Sequence, residues 1–273
     1  MNIEIEQLHF AYPSGPEVLH GVHLTIAESS CVAIVGANGS GKTTLVRHFN
    51  GLLRPTSGVV RVGDWRTSDH SISKLASRVG YVFQNPDEQL FKSSVRQELA
   101  FGPTNLHMSP QQVEQRIKYA LELFGLEDKA EVHPADLSFP LRKLVTFASV
   151  VAMDTPILVL DEPTTGQDAR TVRLISQVID RLHQEHGKTI VAISHDMEFV
   201  AEHFERVVVM DQGQILLDGT PQEVFSQEEI LQQTSVYPPQ LTRLAHRLGI
   251  KQVVCTPEDF IQALSATKSA RSS

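Results

Sequence analysis

The stretch GANGSGKT, from Gly36 to Thr43, has the residue types and spacing that hold a phosphate chain. Its glycines let successive backbone N–H groups turn inward as an anion nest. A helix opening near Lys42 would add its unpaired N–H groups and the positive end of its dipole. Lys42 offers a cation to terminal phosphates, and Thr43 offers a hydroxyl oxygen to a divalent cation. Gly36, Ala37, Asn38, Gly39, Ser40, Gly41, Lys42, Thr43 and the following Thr44 are therefore candidate nucleotide contacts. The competing reading is a glycine-rich turn that binds nothing. A second motif, ILVLDE (157–162), ends an apolar run in two acids. Asp161 is suited to hold Mg²⁺ through water, and Glu162 to polarise an attacking water. A third, AISHD, puts His195 after another apolar run, where an imidazole can bond a terminal phosphate oxygen. The chain has 12 histidines, so a merely structural histidine is a serious rival there.

The elements that must position these groups are legible as well. SCVAIV (30–35), TPILVLD (155–161) and KTIVAIS (188–194) are almost wholly apolar runs. Such runs read as strands buried on both faces. Helical stretches lie between them, which predicts a parallel α/β sheet. Ligands of open α/β sheets bind at the carboxyl ends of the strands, where all three motifs fall. Between the first two runs lies a long, largely helical insert, a subdomain of roughly 85–155. In it Ser109 and Pro110 mark one helix start, followed by Val113, Ile117, Leu121 and Phe124 at helical spacing, and a second helix is expected from Pro140 to Ala152. Ile3 to Phe10 reads as a strand, and RVVVMDQGQILLDG (206–219) as a hairpin turning at Asp211, Gln212 and Gly213. Pro221 to Gln233 is expected to be helical, YPPQ (237–240) breaks it, and LTRLAHRLGI (241–250) resumes a helix. Residues 1–220 thus form the main domain and 221–273 a helical extension, with ATKSARSS (266–273) small, polar and frayed.

Bulk properties exclude several roles. A formal charge of −8 gives no support for broad nucleic-acid binding through phosphate neutralisation. Cys31 and Cys255 are the two cysteines, with no zinc-type spacing; Cys31 reads as a buried strand residue, and the sparse usage suits a reducing compartment. MNIEIEQLHF lacks the pattern of a secretory leader, and no window is apolar for long enough to cross a bilayer.

The three motifs, in this order, resemble the ATP-binding-cassette (ABC) ATPases, over nearly the whole chain. The resemblance implies an ABC-type P-loop NTPase: a parallel-sheet core, an N-terminal antiparallel β region and a helical subdomain. It implies that Mg²⁺ with ATP is bound, that Tyr12 stacks on adenine, and that Gln84 in GYVFQNP joins Mg²⁺ and water to a membrane-facing region. It also implies that Asp168 in TTGQD (164–168) crosses to a partner subunit; Gln167 stands where leucine is commoner. FQNPDEQLF (83–91), SVRQELAFGPTNL (94–106) and YPPQLTRLAHRLG (237–249) are similar to the energy-coupling-factor (ECF) branch, importers of vitamins and of cobalt or nickel ions. That branch implies a second ABC ATPase subunit, a transmembrane coupling protein, a substrate-binding membrane component, and a peripheral location on the cytoplasmic face of the membrane.

One segment departs from the family. The signature loop, usually LSGGQ, reads LSFPL (137–141), and Leu144 replaces an expected arginine. In the family the signature of one subunit caps the γ-phosphate held by the other. Here Ser138 remains, but Phe139 adds bulk and Pro140 has no N–H to give. Proline is comfortable in a first helical turn, so the helix should survive. The residues serving the chain's own nucleotide are intact, which favours a heterodimer, with one competent and one impaired site, over a homodimer. Two rival readings are a non-transport ABC ATPase and a regulatory nucleotide-binding module with weak turnover. The first usually carries two cassettes or a long coiled-coil insertion, neither seen here; the second is opposed by Glu162.

Overall fold

Alternating apolar residues at the start of the chain build the first sheet. In the computed structural model, which describes residues 1–250 and 252–271 (266–271 by backbone alone), strands β1 (Ile3–Ala11) and β2 (Glu17–Ile26) pair antiparallel. Ile3, Ile5, Leu8 and Phe10 are buried, and the slip in their alternation falls at Gln7, whose φ of 48° lies in an irregular stretch of the pairing. Strand β3 (Cys31–Gly36) leaves for a second sheet, and β4 (Ser57–Val62) and β5 (Trp65–Arg66) complete the first in the order β2-β1-β4-β5.

The second sheet adds β6 (Val79–Val82), β7 (Ile157–Asp161), β8 (Thr189–Ile193), β9 (Arg206–Asp211) and β10 (Gln214–Gly219) in the order β10-β9-β3-β8-β7-β6. Strands β3 and β6 to β9 run parallel; β10 is antiparallel to β9. All six residues of β3 are buried because the sheet is covered on both faces. Their side chains alternate between two cores. Cys31, Ala33 and Val35 join the helices on one side, whereas Val32 and Ile34 join the first sheet on the other. The two-residue turn of the β9–β10 hairpin, Gln212 and Gly213, has φ of 45° and 76°, the positive values a tight hairpin needs.

Between β3 and β7 the chain also forms β4, β5 and the buried edge strand β6, all before the helical subdomain expected over roughly 85–155. Two short helices, α1 (Lys42–Val46) and α2 (Ile72–Leu75), precede its helical part. That part consists of α3 (Val95–Asn105), α4 (Pro110–Phe124) and α5 (Phe139–Ala152). Ser109 caps α4 in a reciprocal box with Gln112, and Ile117, Leu121 and Phe124 lie on its buried face. Helix α5 starts at Phe139, one residue before the expected Pro140, which fits in its first turn.

Beyond β7 come α6 (Ala169–Gln184) and α7 (Met197–His203). The helix expected over Pro221–Gln233 is two, α8 (Pro221–Phe225) and α9 (Glu228–Gln233), interrupted at Ser226 and Gln227. Val224, Phe225, Leu231 and Val236 still join the core on the helical face of the large sheet. Helices α10 (Gln240–Arg247) and α11 (Pro257–Arg271) share a small cluster of their own around Ala245, Ile250, Val254 and Ala263. The expected fraying of ATKSARSS falls at the edge of the described residues: the backbone is helical to Arg271, and Ser272 and Ser273 lie outside them.

Candidate nucleotide-binding site

Strand β3 ends at Gly36, and the chain turns through residues 37–41 into α1. Gly36 has φ of 151°, and a Cβ there would sit 2.1 Å from the Met210 carbonyl oxygen of β9, so only glycine lets the loop lie against that strand. Gly39 (φ 81°) has no atom within 4 Å of its missing Cβ, leaving the loop open on that side. The hairpin turn pins the loop through Gly213 N–H donating to Ser40 O at 3.0 Å. The Ser40 hydroxyl is buried without a partner. Lys42 folds back across the loop, its Nζ donating to Gly36 O and Ala37 O at 2.9 Å each. Burial lowers its pKa, while Glu162 and Asp161 pull it back up.

Asp161, at the end of β7, accepts from Tyr81 Oη at 2.8 Å and from Thr43 Oγ1 at 3.4 Å. Burial raises its pKa against those hydrogen bonds and the fields of Arg47 and Lys143. A buried carboxyl beside two hydroxyls, with open space next to it, is a hard oxygen donor set of the kind that suits Mg²⁺. Among the described residues no group of three or more His, Cys, Asp or Glu side chains could hold a metal. One carboxylate supplemented by phosphate oxygens fits Mg²⁺ better than a protein cage would.

Glu162 is 4 % exposed and has a left-handed φ of 55°, a conformation uncommon for a non-glycine residue. Both of its carboxylate oxygens have partners: Oε1 lies 3.1 Å from His195 Nε2, and Oε2 accepts from Thr165 Oγ1 at 3.0 Å. Its carbonyl accepts from Lys143 Nζ. His195 follows β8 and is 47 % exposed, so its ring reaches solvent on the cleft side.

Asn38, Gly39, Gly41, Lys42, Thr43, Thr44, Gln84, Asp161, Glu162 and His195 line one cleft of about 340 Å³. Tyr12 stands apart from its wall at the end of β1, 41 % exposed, with Oη 3.2 Å from Thr44 Oγ1. Its ring packs edge-on against Phe10 at 4.9 Å, and Phe10 packs edge-on against the buried His48 at 4.8 Å. Ser138, Phe139 and Pro140 lie outside the cleft, and Phe139 stands beside Gly166 instead. Asp168 caps α6, accepting from Thr171 N–H at 2.7 Å, and this bond holds its carboxyl below the usual range. Tyr81 and Thr165, inside GYVFQNP and TTGQD, and Lys143 bond to site residues although the motifs mark other positions. Lys143 had a sequence signal, a lysine on the apolar stripe of α5 with Phe147 and Val150. Together the nest, cation, hydroxyl, carboxylate and imidazole can grip a polyphosphate and present a water to its end.

This fold and this cleft define a class: the chain belongs to the ABC transporter family, whose model matches residues 19–165, and is an ATP-binding, ATP-hydrolysing subunit. Within the family it is 39% identical over 246 residues to the energy-coupling factor transporter ATP-binding protein EcfA of Methanoculleus marisnigri, covering 90% of this chain and 89% of that one. It is likewise 39% identical to EcfA1 of Caldanaerobacter subterraneus, covering 95% of each chain. The solved structure of cbiO1 from Clostridium perfringens, part of the ABC transporter complex cbiONQ, is 35% identical, with a TM-score of 0.75 over 91% of this chain and 98% of that one. A dimeric ATP-binding cassette in a post-hydrolysis state with ADP and Pi is 26% identical, with a TM-score of 0.73 over 80% of this chain and 98% of that one. A chain of this kind works with a second ATPase subunit and membrane components.

Proposed function

We propose that this chain is the ATPase subunit of an energy-coupling-factor importer for a vitamin or transition-metal ion, bound peripherally to the cytoplasmic face of the membrane. The observation that carries the catalytic part is the gathering of Lys42, Thr43, Asp161, Glu162 and His195 around one cleft at the strand ends. In this reading Lys42 exchanges the carbonyls of Gly36 and Ala37 for the β- and γ-phosphates of ATP. Thr43, Gln84 and Asp161 hold Mg²⁺, which neutralises phosphate charge when bound. Glu162, fixed at both carboxylate oxygens, takes a proton from water as that water attacks the γ-phosphate, and His195 bonds a γ-phosphate oxygen. Tyr12 stacks on adenine.

Among the described residues no helix is long and apolar enough to cross a membrane; in this reading the membrane-spanning parts belong to partners. A groove of about 230 Å³, walled by Tyr81, Phe83, Phe91 and Phe101, suits an apolar helix of the transmembrane coupling protein. Phe91 is 63% and Phe101 41% exposed, a surface that such a helix would cover. A separate membrane component selects the substrate. The second ATPase subunit is a different chain, supplying an intact signature to this chain's nucleotide, while Asp168 faces it. Purification of the chain with its membrane partners, followed by Mg-ATP turnover, tests the reading. Failure to copurify with a membrane protein, or full turnover with Glu162→Gln, would overturn it.

A further inference from the structure

The start of α5, which carries the altered signature segment, packs on the turn that follows Glu162 in its own chain. Phe139 and Lys143 stand four residues apart at the start of α5, so they share a face of the helix. That face meets the turn that follows Glu162. Lys143 is buried, and its Nζ donates to the carbonyls of Glu162 and Thr165, the latter at 3.1 Å. Two ring carbons of Phe139 lie 2.9 and 3.3 Å from where a Cβ on Gly166 would be, so the ring sits on this glycine and a larger residue there would have to push the ring aside. Between these two contacts lies Thr165, whose hydroxyl donates to Glu162 Oε2 at 3.0 Å.

Thr165 therefore occupies a special place. The oxygen it holds belongs to the carboxylate that must be aimed at water, and the other oxygen is met by His195 Nε2. A carboxylate fixed at one oxygen alone can swing about its last torsion; fixed at both, it cannot without breaking a charge-assisted bond. We propose that Thr165 is a positioning residue for Glu162, and that Phe139 and Lys143 hold Thr165 to this task. The segment that has lost family donors toward a partner thus serves the chain's own hydrolysis.

The inference rests on the reading of Glu162 as the general base, and the test separates the two. It uses the assembled complex with the partner's equivalent of Glu162 replaced by glutamine, so that turnover reports this chain's site. Thr165→Val should lower kcat roughly tenfold, the scale of one hydrogen bond to a charged group, with KM for Mg-ATP unchanged. Thr165→Ser should restore most of the rate. On a Glu162→Gln background, Thr165→Val should cost nothing further in single-turnover measurements, because the two residues act as one unit. Phe139→Gly should lower kcat by roughly threefold at the same KM, as an indirect support would. A wild-type kcat for Thr165→Val would overturn the proposal. So would an equal loss in Thr165→Ser, a full additional loss on the Glu162→Gln background, or a fall in ATP affinity that tracks the fall in kcat. Wild-type turnover with Glu162→Gln alone would instead overturn the assignment of Glu162.

Discussion

The nucleotide cleft and the signature segment lie on the same chain but are built to different standards. In the cleft the charged groups are enclosed and engaged. Lys42, Asp161 and Glu162 are 6 %, 1 % and 4 % exposed, and each is hydrogen-bonded to a neighbour. At the signature segment Ser138 occupies the N-cap of α5 but its side chain makes no capping bond, and Phe139 is 39 % exposed. The first turn of any helix leaves N–H groups unpaired, and this turn lacks one because Pro140 has none. The helix still forms, since proline suits its first turn, and its body is buried. The comparison separates two requirements that share the same residues. The fold needs a helix start; an incoming phosphate needs small residues and free N–H groups. On the proposed reading, Phe139 and Pro140 keep the first and impair the second.

If the cleft is the complete half of the machinery, the largest effects belong to it. Glu162→Gln in the assembled complex is expected to slow turnover by roughly 10²–10⁴ while ATP still binds. Stopped hydrolysis with retained nucleotide binding is the pattern to look for; turnover that survives would mean the complete half does no chemistry. Next in size is Lys42→Ala, which removes the cation proposed to face the phosphates. Its affinity for a fluorescent ATP analogue in the presence of Mg²⁺ should fall roughly 10- to 100-fold, the range of charged hydrogen bonds. Unchanged affinity would remove Lys42 from the site.

The cleft was legible in the sequence because local rules write most of it. A strand buried on both faces must be apolar throughout, and β3, β7 and β8 stand out for that reason. The glycine loop needs its spacing regardless of what surrounds it, and the acids fall where the apolar run of β7 ends. The hairpin at Gln212 and Gly213 was legible through turn chemistry. What escaped was set by distant packing. Strand β6 is four residues long with a glycine inside, too short for a pattern, yet it delivers Tyr81 to Asp161 across 80 positions. The pairing of Phe139 with Gly166, and of Thr165 with Glu162, depends on how α5 meets the end of β7. The division between α8 and α9 was hidden because Val224, Phe225 and Leu231 keep their buried faces across the break.

The signature segment offers a smaller and more specific test. The double variant Phe139→Gly, Pro140→Gly restores a missing N–H and clears bulk. Turnover of ATP held by the partner, with this chain's own site silenced by Glu162→Gln, should rise by about fivefold, the worth of one ordinary hydrogen bond. Two glycines also cost backbone entropy at the helix start, so the helix content of the variant is checked by circular dichroism. An unchanged rate in a properly folded variant would mean that Ser138 suffices, and that the contrast between the two regions has no catalytic meaning.

The smallest expected effect concerns Lys143, which joins the two regions by linking α5 to the carbonyls of Glu162 and Thr165. Burial pushes its pKa from the ordinary 10.5 down to about 8, against the pull of Glu162 and Asp161. The sign of the consequence is opposite to that of a lysine gaining an ion-pair partner. Between about pH 8 and 10.5 the unfolded chain keeps a proton that the folded chain has released, so stability from this group rises with pH across that window. Below it, the fold bears the full cost of enclosing an ammonium. Buried Tyr81 and Cys31, both with raised pKa values, push stability the other way in alkali. Their contribution cancels when the wild type is compared with Lys143→Met. The melting temperature of the nucleotide-free chain, taken relative to that variant, should therefore climb by a few degrees from about pH 7.5 to 9.5, given about 2–4 °C per kcal/mol in large domains. A difference that stays flat would mean that the ammonium keeps its water and binds the signature helix to the catalytic turn only loosely. A difference that stays level to pH 9.5 and falls only above about pH 10.5 would mean that an acidic partner, rather than the two carbonyls, governs the charge of Lys143.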